Sequence, residues 1–201
     1  MIAILDYGSG NIRSAQRAME RLGATVEITS DYQIALQADG LVVPGVGAFG
    51  SCMNQLKAIA GDVIIKERLL KGLPTLGICV GMQVLFQSSD ESEELGIGIF
   101  QDSISRLDAP LLPHIGWNEV AGSGLTELRM LKGLENERFY FVHSYAATSM
   151  QEESALSTAK SNYGEDFIAA LEFRSISAVQ FHPEKSGDAG LQLLENWNET
   201  L

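Results

Sequence analysis

The residue types of a thiol acyl-transfer centre fall at two places in this chain. GICVG, residues 77–81, follows a short apolar run and opens a helical pattern. This is a nucleophile-elbow arrangement with Cys79 in place of the usual serine. Small neighbours are needed because the turn is tight and its central residue takes a strained, positive-φ conformation. The turn lifts the side chain to the top of a sheet and sets the sulfur beside the N-terminus of the helix that starts at Val80. Free amides and the helix dipole there favour an anion, and the Val80 N–H is a donor for an oxyanion. The competing reading is a buried structural cysteine between packing glycines. Cys52 sits inside a helical pattern and reads as a small core residue.

A thiol nucleophile needs a base, and the base needs an orienting group. QFHPEKSG, residues 180–187, offers both. His182 and Glu184 are two apart, hence on one side of an extended segment, and Pro183 keeps that segment extended. Glu184 then holds the imidazole tautomer and stabilises the imidazolium. His143, in YFVHSY (140–145), has no acidic residue within three positions. The alternative for His182 is a strand cap with Glu184 in solvent.

PGVGAFG, residues 44–50, also spells G-x-G-x-x-G through Gly45, Gly47 and Gly50. A dinucleotide site fits poorly. Pro44 interrupts the run into the turn, and the first βα unit begins instead with DYGSGN. The acidic partner expected about 20 residues on is matched only by Glu67, inside a helical pattern. An oxyanion strand fits better, with the N–H of Val46 or Gly47 as donor and Gly45 letting backbone approach a ligand. Gly50 then completes the pattern by coincidence, inside the following helix.

These stretches need a scaffold. Residues 2–7, 25–29, 40–45 and 73–78 read as strands, and 11–23, 49–72 and 80–89 as helices, with 49–72 divisible at Gly61-Asp62. Strand-like segments at 96–107, 114–120, 138–147, 155–161, 167–173 and 176–183 follow, and 186–201 closes as an amphipathic helix. The acidic stretch 88–95 reads as a solvated loop. Alternating strands and helices predict a three-layer α/β architecture. Its central sheet is mostly parallel but mixed, with antiparallel strands added from the second half, in a single domain over 1–201. Ligands in such sheets sit at strand C-termini, where both PGVG and GICVG fall.

The bulk numbers agree. The 201 residues are 45% hydrophobic and 20% charged, with 14 Lys and Arg against 26 Asp and Glu and a net charge of −12. Such a chain repels nucleic acid and anionic membranes. No run is long and apolar enough for a membrane span, and MIAILDYGSG lacks the basic start of a signal peptide. Two cysteines give neither a disulfide scaffold nor metal spacing. A reduced, cytoplasmic protein without metal or cofactor is expected.

PGVGAF, LGICVGMQ and QFHPEKSG, in this order and spacing, resemble the class I, triad-type glutamine amidotransferases. DYGSGNIRS, PHIGWN (113–118) and YFVHSY extend the likeness end to end to one branch, the glutaminase subunits of imidazole glycerol phosphate synthases. At Val80 and Ser9 relatives often carry other apolar residues. The resemblance implies a flavodoxin-like fold and a reaction. Cys79 attacks the carboxamide of glutamine, His182 with Glu184 moves the proton, and water hydrolyses the glutamyl thioester. It implies that Gln83, Glu91 and backbone groups at Ser144 and Tyr145 hold the two ends of the substrate. Gln83 lies one turn after Cys79, which suits that role. The implied partner is a TIM-barrel cyclase in a heterodimer, which receives the ammonia. Trp117, Asn118, Tyr140 and Lys185 are the docking candidates, with a core position as the alternative for Trp117. Because Gly45 and Gly47 flank Val46, its peptide can flip at low steric cost. A carbonyl turned into the site of the free chain, and an N–H turned in when a loaded partner docks, is the expectation.

Overall fold

The computed structural model describes residues 1–122, 124–151 and 154–201. Its strands are β1 (Ile2–Leu5), β2 (Val26–Thr29), β3 (Gly40–Gly45), β4 (Thr75–Cys79), β5 (Phe86–Ser89), β6 (Phe100–Arg106), β7 (His114–Glu119), β8 (Arg138–His143), β9 (Tyr145–Ala146), β10 (Leu156–Tyr163), β11 (Glu165–Phe173) and β12 (Ile176–Val179). Its helices are α1 (Ile12–Arg21), α2 (Tyr32–Gln37), α3 (Phe49–Ala58), α4 (Gly61–Lys71), α5 (Val80–Gln83) and α6 (Gly187–Asn198).

Seven strands form the central sheet in the order β10-β11-β12-β4-β3-β1-β2. The five from β12 to β2 are parallel, and β10 and β11 add an antiparallel edge. The α/β reading with a mostly parallel mixed sheet therefore holds. Strands β1, β3, β4 and β12 are buried along their whole length, as continuous apolar runs between two helical layers must be. Helix α1 packs with α6, and α2 and α3 pack with α4. Right-handed crossovers from β1 outward to β2 and then back past β1 to β3 and β4 put these two groups on opposite faces.

Register places the site. Gly45 at the end of β3 pairs with Cys79 at the end of β4, and Ile78 pairs with Val179 of β12. The glycine loop, the thiol and the His182 segment thus leave one sheet edge side by side.

Several local expectations change. Residues 49–72 do break in two, between α3 and α4. The helix expected over 80–89 lasts only from Val80 to Gln83, and Phe86–Ser89 turns into strand β5 alongside β6. Val84, Leu85 and Phe86 are all buried, so this run has no polar face by which to tell helix from strand. The strand expected to 183 ends at Val179, and Pro183–Lys185 form one 3₁₀ turn. Proline at the start of a helical turn loses nothing, because the missing N–H would be unpaired there. Helix α2 is an addition, and Asp31 caps it through Gln33 and Ile34.

Arg68 is fully buried and, among the described residues, makes no salt bridge to a carboxylate. Its guanidinium donates to the carbonyls of Ala35, Leu36, Ala38, Asp39 and Pro74 and to Thr75 Oγ1. These include the last free carbonyls of α2 and the lead-ins to β3 and β4, at the sheet end opposite the site. Burial lowers its pKa to about 10, still cationic at neutral pH. Arg68→Met leaves those oxygens unpaired, and urea unfolding should show a loss of about 3–5 kcal/mol. The catalytic constants of the folded variant should stay near wild type.

Candidate active site

The elbow explains its own glycines. Cys79 has φ 56° and ψ −112°, a strained region for a residue with a Cβ. A Cβ at Gly77 would meet the Gly81 carbonyl oxygen at 2.6 Å, and one at Gly81 would meet the Val43 carbonyl oxygen at 1.8 Å. Strand β3 therefore presses on the turn from below, and only glycine lets it. Val80 is the first residue of α5, so its N–H is one of the free amides of a helix start.

Cys79 and His182 line one cavity of about 290 Å³, together with Val46, Gly47, Val80, Gln83, Glu91, Ser144 and Tyr145. Glu184 Oε1 accepts from His182 Nδ1 at 2.8 Å, and both side chains are almost wholly buried. The pair meets across the 3₁₀ turn rather than along an extended strand. His182 Nε2 is buried without a hydrogen-bond partner, free to exchange a proton with the thiol or a leaving group. Burial opposes the imidazolium, but the neighbouring Cys79 thiol and Glu184 outweigh it and push His182 up to about 10. The His182 N–H donates to the Tyr140 carbonyl at 2.9 Å, and Ser186 Oγ ties the His182 carbonyl to the Tyr140 N–H. The base is therefore pinned by β8.

Gln83 is buried, and its Nε2 donates to the Tyr145 carbonyl at 2.9 Å and to Gln180 Oε1 at 3.0 Å. Gln180 Nε2 in turn approaches Cys79 Sγ at 3.8 Å. Gln180 is a site residue that the sequence reading missed, since its partners are 97 and 101 positions away. The Tyr145 carbonyl also accepts from His143 Nδ1 at 3.0 Å. This assigns the proton of His143 to Nδ1, with Nε2 accepting from His114 Nδ1 at 3.2 Å. Burial, aided by His114 and His182 and opposed by the Tyr145 bond, pushes His143 down to about 3, so it is neutral at working pH.

Glu91 is exposed, as the acidic stretch suggests, but it is not idle there. It lines the cavity, and its Oε2 accepts from the Phe49 N–H at 2.8 Å, at the start of α3. Gly45 does not reach the cavity wall. A Cβ there would meet the Gly81 nitrogen at 2.5 Å, so this glycine lets β3 pack closely against the elbow. The Val46 N–H donates to Ser9 Oγ at 2.9 Å, and the Val46 carbonyl accepts from Cys52 Sγ at 3.3 Å. In a trans peptide N–H and C=O point oppositely, so the Gly45 carbonyl faces away from Ser9 while the Val46 donor is engaged. Gly47, with φ 95°, turns the chain directly after.

Of the docking candidates, Trp117 is 52% exposed and packs edge-on against Tyr140, its partner in the β7–β8 register. Lys185 Nζ lies 5.9 Å from the Tyr140 ring, and exposed Ile115 continues the face. Asn118 is half-buried. Its amide donates to the Asn162 carbonyl at 2.9 Å and lies 3.4 Å from His114 Nε2.

A thiol on a strained elbow, a buried imidazole–carboxylate pair and adjacent backbone donors define a thiol-dependent amide hydrolase on a parallel α/β sheet. The chain matches the family described as glutamine amidotransferase class-I over residues 3–199, and it belongs to that family. It is similar, over its whole length, to the imidazole glycerol phosphate synthase subunit HisH of Mycolicibacterium paratuberculosis, 52% identical and covering 98% of that protein. The HisH proteins of Thermobifida fusca and Corynebacterium diphtheriae are 50% and 49% identical, with 98% and 99% of their lengths covered. Among solved structures, a glutamine amidotransferase aligns with a TM-score of 0.76 at 17% identity, over 98% of each chain. The glutaminase domain of Trypanosoma brucei CTPS with bound acivicin aligns with a TM-score of 0.63 at 17% identity, over 98% of this chain and 93% of that one. These two establish the fold alone. No helix among the described residues is long and apolar enough to cross a membrane.

Proposed function

We propose that this chain, as one domain over residues 1–201, is the glutaminase subunit of an imidazole glycerol phosphate synthase. It hydrolyses glutamine and passes ammonia to a TIM-barrel cyclase in a cytoplasmic heterodimer. The cyclase forms imidazole glycerol phosphate and an aminoimidazole carboxamide ribonucleotide, a step of histidine biosynthesis. The observation that carries this reading is the placement of Cys79 and His182 on one cavity, with Glu184 behind the imidazole at 2.8 Å, in a chain matched end to end by proteins of that name.

The chemistry follows the geometry. With His182 held as imidazolium, its Nε2 already carries the proton of Cys79, and Sγ bonds to the carboxamide carbon. The oxygen takes the negative charge beside the Val80 N–H and the donors of the Val46–Gly47 segment. The C–N bond breaks as His182 returns the proton to nitrogen, releasing ammonia and leaving a thioester. Water then attacks, His182 takes its proton, and glutamate leaves as the thiol re-forms. Glu91 receives the α-amino group, and backbone at Ser144 and Tyr145 receives the α-carboxylate. Gln83 acts at one remove, by fixing the Tyr145 carbonyl. Trp117, Tyr140 and Lys185 form the docking face, and the Tyr140–His182 backbone bond links that face to the base.

The free chain is held back by the Ser9 latch on Val46. Turning the Val46 N–H towards the thiol requires breaking its bond to Ser9 Oγ. Ser9→Ala should raise glutamine hydrolysis by the chain without its partner roughly two- to tenfold, the worth of one neutral hydrogen bond. An unchanged partner-free rate would remove the latch from the account. The function itself is tested by reconstituting the chain with the cyclase and following glutamine-dependent imidazole glycerol phosphate formation. Full glutaminase turnover by the chain alone, indifferent to the cyclase, would overturn the reading.

A further inference from the structure

Glu184 is held from two directions. Its Oε1 accepts from His182 Nδ1 and also from Asn11 Nδ2, 173 positions earlier in the chain. Its other oxygen is buried without a partner. Orientation of this carboxylate therefore rests on two donors that converge on one atom.

Asn11 is placed for this at a local expense. It stands at the N-cap position of α1, where an asparagine side chain ordinarily accepts from the amides of the first turn. Here it makes no capping bond, and the backbone is left-handed, with φ 73° and ψ 5°. Two non-glycine residues of the site hold positive φ, the nucleophile Cys79 and Asn11. Few residue types satisfy both demands at position 11. Glycine and aspartate tolerate the left-handed backbone. Glycine brings no donor, and aspartate would set a second carboxylate against the first. Asparagine supplies the backbone and the N–H together.

Resting on the glutaminase reading above, we infer that Asn11 is a positioning residue of the catalytic centre, which acts through Glu184 to fix the His182 ring. A buried carboxylate with an empty oxygen rotates once a donor is lost, and the imidazole loses its alignment with it. The β1–α1 loop then serves both halves of the chemistry, since Ser9 of the same loop holds Val46.

The test is Asn11→Gly in the chain paired with its cyclase, because glycine keeps the left-handed backbone and removes only the amide. The expected result is a fall in kcat for glutamine hydrolysis of roughly 10–100-fold, the scale of a hydrogen bond to a charged group. KM for glutamine and ammonia-dependent synthesis should stay near wild type. The basic limb of the kcat/KM profile should move to lower pH, because a loosened Glu184 supports the imidazolium less. A role in packing alone would leave that limb in place. Asn11→Asp, which keeps the shape and makes the donor an acceptor, should lose at least as much at neutral pH and covers the case in which the glycine variant fails to fold. Wild-type kcat with an unmoved basic limb in a folded variant, or a loss confined to KM, overturns the proposal. If the wild-type pair itself shows no glutamine turnover, it is the functional reading that fails.

Discussion

Cys79→Ala should lower glutamine-dependent turnover of the assembled pair by about 10⁴–10⁶-fold while ammonia-dependent synthesis by the cyclase continues. No second thiol can take over. Cys52 is buried beneath the glycine loop with its Sγ directed to the Val46 carbonyl and close to Ser9 Oγ, and burial pushes its pKa up. Alanine keeps the Cβ that makes position 79 strained, so the variant should unfold near the wild-type midpoint. Cys79→Gly should be equally inactive but more stable by about 1 kcal/mol or more, because the elbow strain is relieved. Steady-state assays with glutamine and with ammonium salt, beside thermal unfolding of both variants, separate chemistry from folding. Glutamine-dependent turnover that survives Cys79→Ala would contradict the assignment.

Glu184→Gln should follow, with a loss of about 10²–10⁴-fold in kcat. The His182 side chain is almost wholly buried, and its Nδ1 proton is received by Glu184. Glutamine at this position can offer its amide N–H to Nδ1 instead and so favour the wrong tautomer. The pH dependence has a definite sign. His182 is raised from 6.5 to about 10, so its interactions stabilise the fold fully below pH about 6.5. That contribution is lost as pH rises through about 10. Without the Glu184 charge the folded-state value falls, and the loss should begin at lower pH. Urea midpoints of wild type and Glu184→Gln, compared across about pH 6–10, should diverge most at the acidic end and converge towards the basic end. Parallel curves throughout would show that Glu184 does not support the imidazolium.

How the site reads in the sequence depends on the range of each interaction. The elbow is local, since strand, glycine, thiol and helix start lie within a few residues, and GICVG carries all of it. His182 and Glu184 are also neighbours, so the pair was legible even though the intervening turn was misjudged as extended. Asn11, Gln180 and Ser9 act across 37 to 173 positions, and no local pattern marks such partners. Ser9 was visible only as a departure from the apolar residue common in relatives. Glu91 was hidden by its acidic neighbours, and only the approach of α3 brings it to the cavity. The mostly parallel sheet follows from the alternation of strands and helices, whereas its strand order rests on long-range pairing, and the early end of α5 depends on β6 arriving to pair with Phe86.

The most direct measurement is intact-mass and peptide mapping after reaction with a γ-diazoketone analogue of glutamine. The account predicts one label per chain, on Cys79, blocked by glutamine and slowed in Glu184→Gln and Asn11→Gly. A label on Cys52, or inactivation of the pair with Cys79 unmodified, would contradict it.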